Sequence, residues 1–219
     1  MKLNIDHVEI DRERVLKFLG YGSKKPPSII LKKLEEELEK AEDLLEIEVL
    51  YRRLKIVETK EKAVLIEGGA VIESGYAAEE LAGSSSVYAV LYTVGQKIEK
   101  KIAEHSSSAE MIRAMILDKI GIVALDFVKE RIKESISREI GMLHISAEIY
   151  PSQGDFDISN QKTIYELLSD ESNSISINSS SQFIPLKTVA AIFGIGETEC
   201  SYGMCDRCES KCDKETVRG

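Results

Sequence analysis

The stretch from Ala109 to Ile140 constrains this chain more than any other. Its apolar residues, among them Met111, Ile112, Met115, Ile116, Leu117, Ile120, Ile122, Val123, Leu125, Phe127 and Val128, run almost all the way round a helical wheel. A helix with one apolar stripe rests on a surface, whereas one that is apolar on every side is enclosed. The segment is therefore expected to be one long helix at the centre of the fold, with the rest of the chain arranged to cover it. Two carboxylates, Asp118 and Asp126, fall inside it. A carboxylate removed from water has to be paired, hydrogen-bonded or protonated. Arg113, Arg131 and neighbouring backbone are the expected partners; the functional alternative is a carboxylate at the edge of a pocket.

The covering elements can be read from punctuation and periodicity. Asp11 is placed to cap a first helix whose apolar residues are Val15, Leu16, Phe18 and Leu19, with Gly20 where a left-handed C-cap is wanted. After a loop over 20–27, Ile30, Leu34, Leu38, Ala41 and Leu45 form one stripe of a second helix from Ser28 to Leu45, and its Glu/Lys face reads as solvated. Tyr51–Glu58 and Ala63–Glu67 read as a strand pair joined by a charged turn. A short helix spans Ser74–Ala82. Ser86–Val94 is a continuous β-branched and aromatic run, the signature of a strand covered on both faces. Gly95 closes it and a helix follows, with the serines at 106–108 expected to cap the long helix after it. Leu143–Tyr150 alternates like a half-exposed strand ended by Pro151. A helix through Ile164, Leu167 and Leu168 comes next, then two short strand-like runs, Ser174–Ile177 and Gln182–Pro185, and a last strand, Lys187–Gly196. Strands and helices are interspersed without a regular βαβ rhythm, so the expected class is α+β with a largely antiparallel sheet.

With 219 residues, 43% of them hydrophobic, the chain can bury a core of this kind in one domain. Its net charge of -9 opposes general nucleic-acid binding, which needs a surplus of Lys and Arg on one face, and also disfavours anionic membranes. The charged opening lacks the apolar stretch of a secretory signal, and no apolar run approaches the roughly 20 residues that span a bilayer. A cytoplasmic protein is expected, with neither nucleic acid nor membrane as partner. His7, His105 and His144 are scattered, so no histidine triad or paired hydrolytic carboxylates can be assigned, and no catalytic residue is named. Gly194-Ile195-Gly196 lacks the third glycine and following helix of a phosphate loop, and Gly95 reads as a tight turn more than as an anion site.

All four cysteines lie in one short segment: Cys200, Cys205, Cys208 and Cys212, spaced C-x4-C-x2-C-x3-C. Thiolates bind soft and borderline cations, and four of them close a tetrahedral shell or the corners of a cluster. Disulfides are disfavoured in a cytosolic chain. The spacing therefore points to a metal site, either zinc or an iron–sulfur cluster, in a cysteine-rich tail over 199–219 that follows the domain over 1–198.

Several short motifs occur in the order found in one family. Val15-Leu16-Lys17-Phe18-Leu19-Gly20-Tyr21-Gly22 resembles its opening helix and L-G-Y turn. Leu91-Tyr92-Thr93-Val94-Gly95 resembles a strand ending in T-x-G, and Ile116-Leu117-Asp118 a matching aspartate in the long helix that follows. Gly154-Asp155-Phe156, then Gln161 and Ile164-Tyr165-Glu166-Leu167-Leu168, resemble a G-D-W…Q…L-L run. Pro185-Leu186-Lys187-Thr188-Val189 and Gly194-Ile195-Gly196 resemble a P-x-K-S-V…G-x-G ending. Together they resemble the activation (reactivation) domain of cobalamin-dependent methionine synthase in a stand-alone form.

The resemblance implies a C-shaped single domain with a bent, largely antiparallel sheet flanked by helices. It also implies an accessory role, a methyltransferase component more than a stand-alone catalyst. In that role the chain binds S-adenosylmethionine and supports reductive methylation of a cobalamin held by a methionine synthase or related corrinoid protein, with an electron donor such as flavodoxin as a further partner. The family's adenosylmethionine loop, R-x-S-P-G-Y-G-D, corresponds here to residues 148–155, so Tyr150, Pro151, Ser152, Gly154 and Asp155 are the implied ligand-binding residues. Glu148 stands at the arginine position, Ser152 at the first glycine and Gln153 at the tyrosine. A carboxylate in place of an arginine removes a bidentate partner for the ligand's carboxylate and adds repulsion. The alternative function is therefore a metal- or iron–sulfur-binding protein on the same scaffold, with adenosylmethionine binding lost.

Overall fold

The structure is a computed structural model that describes residues 1–171 and 174–200. Helix α1 (Arg12–Leu16) begins where expected: the Asp11 carboxylate accepts hydrogen bonds from the N–H groups of Glu13 and Arg14 at 2.8 and 3.1 Å. It runs on into one wide π turn, Lys17–Tyr21, in which Gly20 takes the left-handed conformation (φ 85°). Helix α2 (Ser28–Leu44) follows, then strands β1 (Glu48–Lys60), β2 (Ala63–Ile66) and β3 (Val71–Glu73), and helix α3 (Gly75–Glu80). Strand β4 (Ser84–Thr93) leads to helices α4 (Lys97–Ser107) and α5 (Met111–Ile140), then to β5 (His144–Ile149) and α6 (Asn160–Leu168). The chain closes with the short strands β6 (Ser176–Ile177) and β7 (Phe183–Ile184) and the long β8 (Thr188–Gly196).

One six-stranded sheet, ordered β3-β2-β1-β4-β8-β5, organises the fold, and each of its neighbouring pairs is antiparallel. The α+β expectation holds. Strand β1 pairs with β4 over its first part and with β2 over its last, and the register shift between Ile56 and Glu58 marks where the sheet curls. β4 lies centrally, and from Val87 to Thr93 each of its residues is buried.

Alternation along the strands builds two cores. Leu50, Val87, Leu91 and Ile192 face one way and meet α3, α6 and Phe156, whereas Tyr51, Tyr88, Val90 and Phe193 face the other way and meet Val128, Ile132 and Ile136 of α5. A third core joins Val15 of α1, Leu34 of α2, Ile98 of α4 and Ile116, Leu117 and Ile120 of α5. Helix α5 thus has apolar residues on all sides because its two halves are covered by different layers, the sheet over one half and helices over the other. Its first turn departs from the expectation: Met111 and Met115 are half exposed (55% and 51%).

Two further expectations change. The serines at 106–108 do not cap α5; their hydroxyls donate to the carbonyls of Ile102 and Glu104, closing the end of α4 instead. The Glu/Lys face of α2 is not wholly solvated, because Glu37 is only 1% exposed and is bound by Arg113 of α5 at 2.5 Å, with His105 Nε2 3.6 Å away. The partner that buries it lies far along the chain, so periodicity alone assigns Glu37 to water. Among the described residues, no helix is long and apolar enough to cross a membrane.

Candidate functional site

The segment after β5 brings the implied ligand loop to one end of the sheet, and the loop is stitched to itself. Tyr150 N–H donates to Gln153 Oε1 (2.8 Å), Ser152 N–H to the Phe156 carbonyl (2.7 Å) and Phe156 N–H to the Gln153 carbonyl (2.9 Å). Ser152 adopts φ 85°, the left-handed conformation that the implied glycine takes freely and that costs an L-residue about 1 kcal/mol. Gly154 also has positive φ, and a Cβ there would lie 2.9 Å from the Tyr76 side chain, so the loop rests directly on that residue.

The five implied residues divide between two environments. Tyr150 and Pro151 are buried, whereas Ser152, Gly154 and Asp155 are exposed. The Tyr150 hydroxyl points to the α5 side of the sheet and donates to Glu148 Oε2 at 3.2 Å. Burial, the Tyr92 phenol and the Glu148 charge raise its pKa well above that of an ordinary tyrosine. Glu148 is itself buried and is met by Lys133 of α5, Nζ to Oε1 2.5 Å. Burial opposes the charge on Lys133, but the bond from Glu148 and nearby negative charge hold its pKa above the usual lysine value. The carboxylate at the implied arginine position is thus neutralised by a lysine of α5, a pairing that no local sequence pattern announces.

Asp155 looks the other way. Its carboxylate accepts the Ser74 hydroxyl (2.5 Å) and the N–H groups of Gly75 and Tyr76 (both 2.9 Å), while Ser74 Oγ also accepts from Ala77 N–H. These donors, the Ser74 hydroxyl first, lower the Asp155 pKa to about 2. Beside it opens a cleft of about 610 Å³ lined by Lys60, Glu61, Lys62, Ala63, Glu73 and Ser74. Ammonium groups and carboxylates therefore alternate along its wall, a donor set suited to a zwitterionic amino-acid group. These lining residues lie at the β1–β2 hairpin, at the end of β3 and at the cap of α3, and the sequence marks the hairpin turn only as a charged connection.

The remaining motifs meet elsewhere. Lys187 reaches back to α5, donating to Asp118 Oδ1 (2.8 Å) and to the Asp118 carbonyl (3.2 Å), and its stem passes so close to Gly121 that a Cβ there would lie 2.6 Å from it. Its N–H donates to Glu99 of α4 (2.6 Å), and its carbonyl accepts from the Thr93 hydroxyl and Val94 N–H. Burial raises the Asp118 pKa, but the bonds from Lys187 and Lys119 outweigh it, so the pKa lies below the usual aspartate value. Asp126 pairs with Arg14 at 2.7 Å. Neither aspartate uses Arg113 or Arg131, and each ties α5 to a distant element. Gly95 (φ 86°) is packed so closely on Glu46 that a Cβ would lie 2.4 Å from the Glu46 Cβ, and its N–H donates to the Thr93 hydroxyl at 3.1 Å, as a tight turn requires.

Cys200 is partly buried, and its N–H donates to the Ile145 carbonyl of β5 at 2.8 Å. Cys205, Cys208 and Cys212 lie outside the described residues. Among the described residues, no group of three or more His, Cys, Asp and Glu side chains is placed to hold a metal ion.

No protein-family model and no curated protein matches this sequence. Among solved structures, the chain is similar to the crystal structure of the MetH reactivation domain bound to AdoHcy. The match covers 94% of this chain and 82% of that one, with a TM-score of 0.68 at 11% identity. The fold is therefore that of the reactivation domain.

Proposed function

We propose that this chain is a cytoplasmic accessory protein of corrinoid-dependent methyl transfer, which binds S-adenosylmethionine and presents its methyl group to a cobalamin carried by a methionine synthase or related partner. The observation that carries this reading is the fold shared over 94% of the chain with a domain crystallised with AdoHcy. The order of the short motifs, from Leu19-Gly20-Tyr21 to Gly194-Ile195-Gly196, supports it independently. The methyl group and the corrinoid chemistry belong to the cofactors; the protein's part is binding, orientation and exclusion of water. A separate electron donor such as a flavodoxin completes the set of partners.

The residues present fit such a ligand in an altered way. Glu148 is tied to Lys133 on the α5 side of the sheet, so it neither binds nor confronts a ligand in the cleft beside Asp155. Lys60 and Lys62 are the cations placed to meet a ligand carboxylate, and Glu61 and Glu73 the anions placed to meet its ammonium. Ser74 and Asp155 hold the wall of the cleft rigid through the cap of α3.

Isothermal titration of the full chain with S-adenosylmethionine and with S-adenosylhomocysteine tests the reading. Saturable binding is expected, weakened about tenfold or more by the charge reversals Lys60→Glu and Lys62→Glu made together. No binding up to millimolar ligand, with a corrinoid protein present, would overturn it.

A further inference from the structure

The corner where α4 turns into α5 joins a strained residue to an unpaired imidazole nitrogen, and the function above uses neither. Ala109, between the two helices, adopts φ 59°, a left-handed conformation that an L-residue takes only under constraint. Glu110 beside it is held from three sides. Its N–H donates to the His105 carbonyl at 2.8 Å, and its carboxylate meets Arg113 Nε at 2.5 Å and Lys33 of α2 at 3.6 Å. Arg113 also binds Glu36 and, at 2.5 Å, Oε1 of the buried Glu37. The other oxygen of that carboxylate, Oε2, faces His105 Nε2 at 3.6 Å, too far for a hydrogen bond. Among the described residues, His105 Nε2 is the one buried side-chain nitrogen or oxygen without a hydrogen-bond partner.

We propose that a proton on His105 closes this gap and latches α4 to α2, so that the α4–α5 corner is held more tightly in mild acid than in mild base. A neutral imidazole can turn a bare lone pair toward the carboxylate, whereas an imidazolium donates from both nitrogens and adds the charge that Glu37 attracts. Histidine makes that change between about pH 5 and 8. The other charged groups around the pair are Glu110 and Arg113 at the start of α5, Lys33 and Glu36 of α2, with Lys32 and Lys40 beyond Glu36, and Lys101 and Glu104 of α4. Arg113, Lys33 and Lys101 are each met by a carboxylate of their own, which leaves the Glu37 carboxylate as the charge facing Nε2. A proton held more tightly by the closed corner than by the opened one favours closure in acid, and that gain is lost as the pH rises through the histidine titration. The latch uses no residue of the cleft beside Asp155, so it stands whether or not that cleft takes an adenosyl ligand.

The test is an NMR titration of the imidazole resonances of the full chain, with the exposed His144 as internal reference. The His105 midpoint should lie about one pH unit above that of His144, and Glu37→Gln should remove the difference. Amide hydrogen exchange, corrected for its intrinsic pH dependence, reads the corner itself. Protection of the Glu110, Arg113 and Ala114 amides should fall up to about tenfold from pH 5 to pH 8, with β4 unchanged, and His105→Gln should abolish that dependence. The native chain and His105→Gln decide the matter even if Glu37→Gln does not fold. Two results would each overturn the proposal: a His105 midpoint at or below that of His144, or corner amides whose protection ignores the titration of His105.

Discussion

The two carboxylates that bracket the loop after β5, Glu148 and Asp155, are held in opposite ways. Glu148 is buried and answered by one cation, Lys133, with the Tyr150 hydroxyl as second donor. Asp155 is exposed and answered by neutral donors, one hydroxyl and two backbone N–H groups of the turn that starts α3. The first arrangement is made by the helix that immediately precedes β5 and depends on the low dielectric around it; the second joins the loop to the distant cap of α3, at the surface, where water could partly replace it. An interior charge that loses its cation has no substitute, whereas a surface charge that loses a donor is solvated.

The sharpest way to break this contrast is Lys133→Met, which leaves Glu148 inside without its cation. A loss of about 3 kcal/mol is expected in urea unfolding, and the double variant Lys133→Met/Glu148→Met should recover most of it. If the single variant lost less than about 1 kcal/mol, the pair would be no more than a surface ion pair. At the other end of the loop, Ser74→Ala removes the hydroxyl that both caps α3 and binds Asp155, and about 1 kcal/mol should go, measured the same way.

Acid should act on the same cap. The Asp155 pKa is depressed from 3.8 to about 2, so its contribution is fully present above pH 3.8 and fades as pH falls through about 2. Urea titrations across that window should show a loss that the Asp155→Asn variant lacks; parallel curves for the two proteins would remove the cap from the account. The smallest effect is a gain. Ser152→Gly relieves the positive φ at the loop's tip and should stabilise the chain by about 0.5 kcal/mol, the relief of strain being partly offset by glycine's greater freedom when unfolded. A destabilising Ser152→Gly would mean that the hydroxyl itself holds the loop.

Most elements were legible in the sequence, and for particular reasons. Asp11 announced α1 because a cap needs only the next three residues, and Ser86–Val94 announced a strand covered on both faces because its apolar run has no polar interval. The order of the short motifs pointed to the reactivation-domain fold that the structural comparison then bore out. The motifs themselves did not disclose that Asp118 and Lys187 are one contact. The cleft beside Asp155 was illegible for the same reason: its wall comes from the β1–β2 turn, β3 and α3, and no local pattern marks those residues as neighbours of the loop.

By itself, then, the sequence determined the elements, the class of fold and the cysteine spacing, because capping, periodicity and ligand spacing act over a few residues. Only the tertiary structure decided which charges meet. It tied Glu148 to Lys133, Glu37 to Arg113 and Asp118 to Lys187, and it laid Cys200 on the edge of β5. Those pairings are set by how α5 crosses the sheet and the helical layer, and a charge buried at such a crossing must find its partner across the fold, because water is not there to take its place.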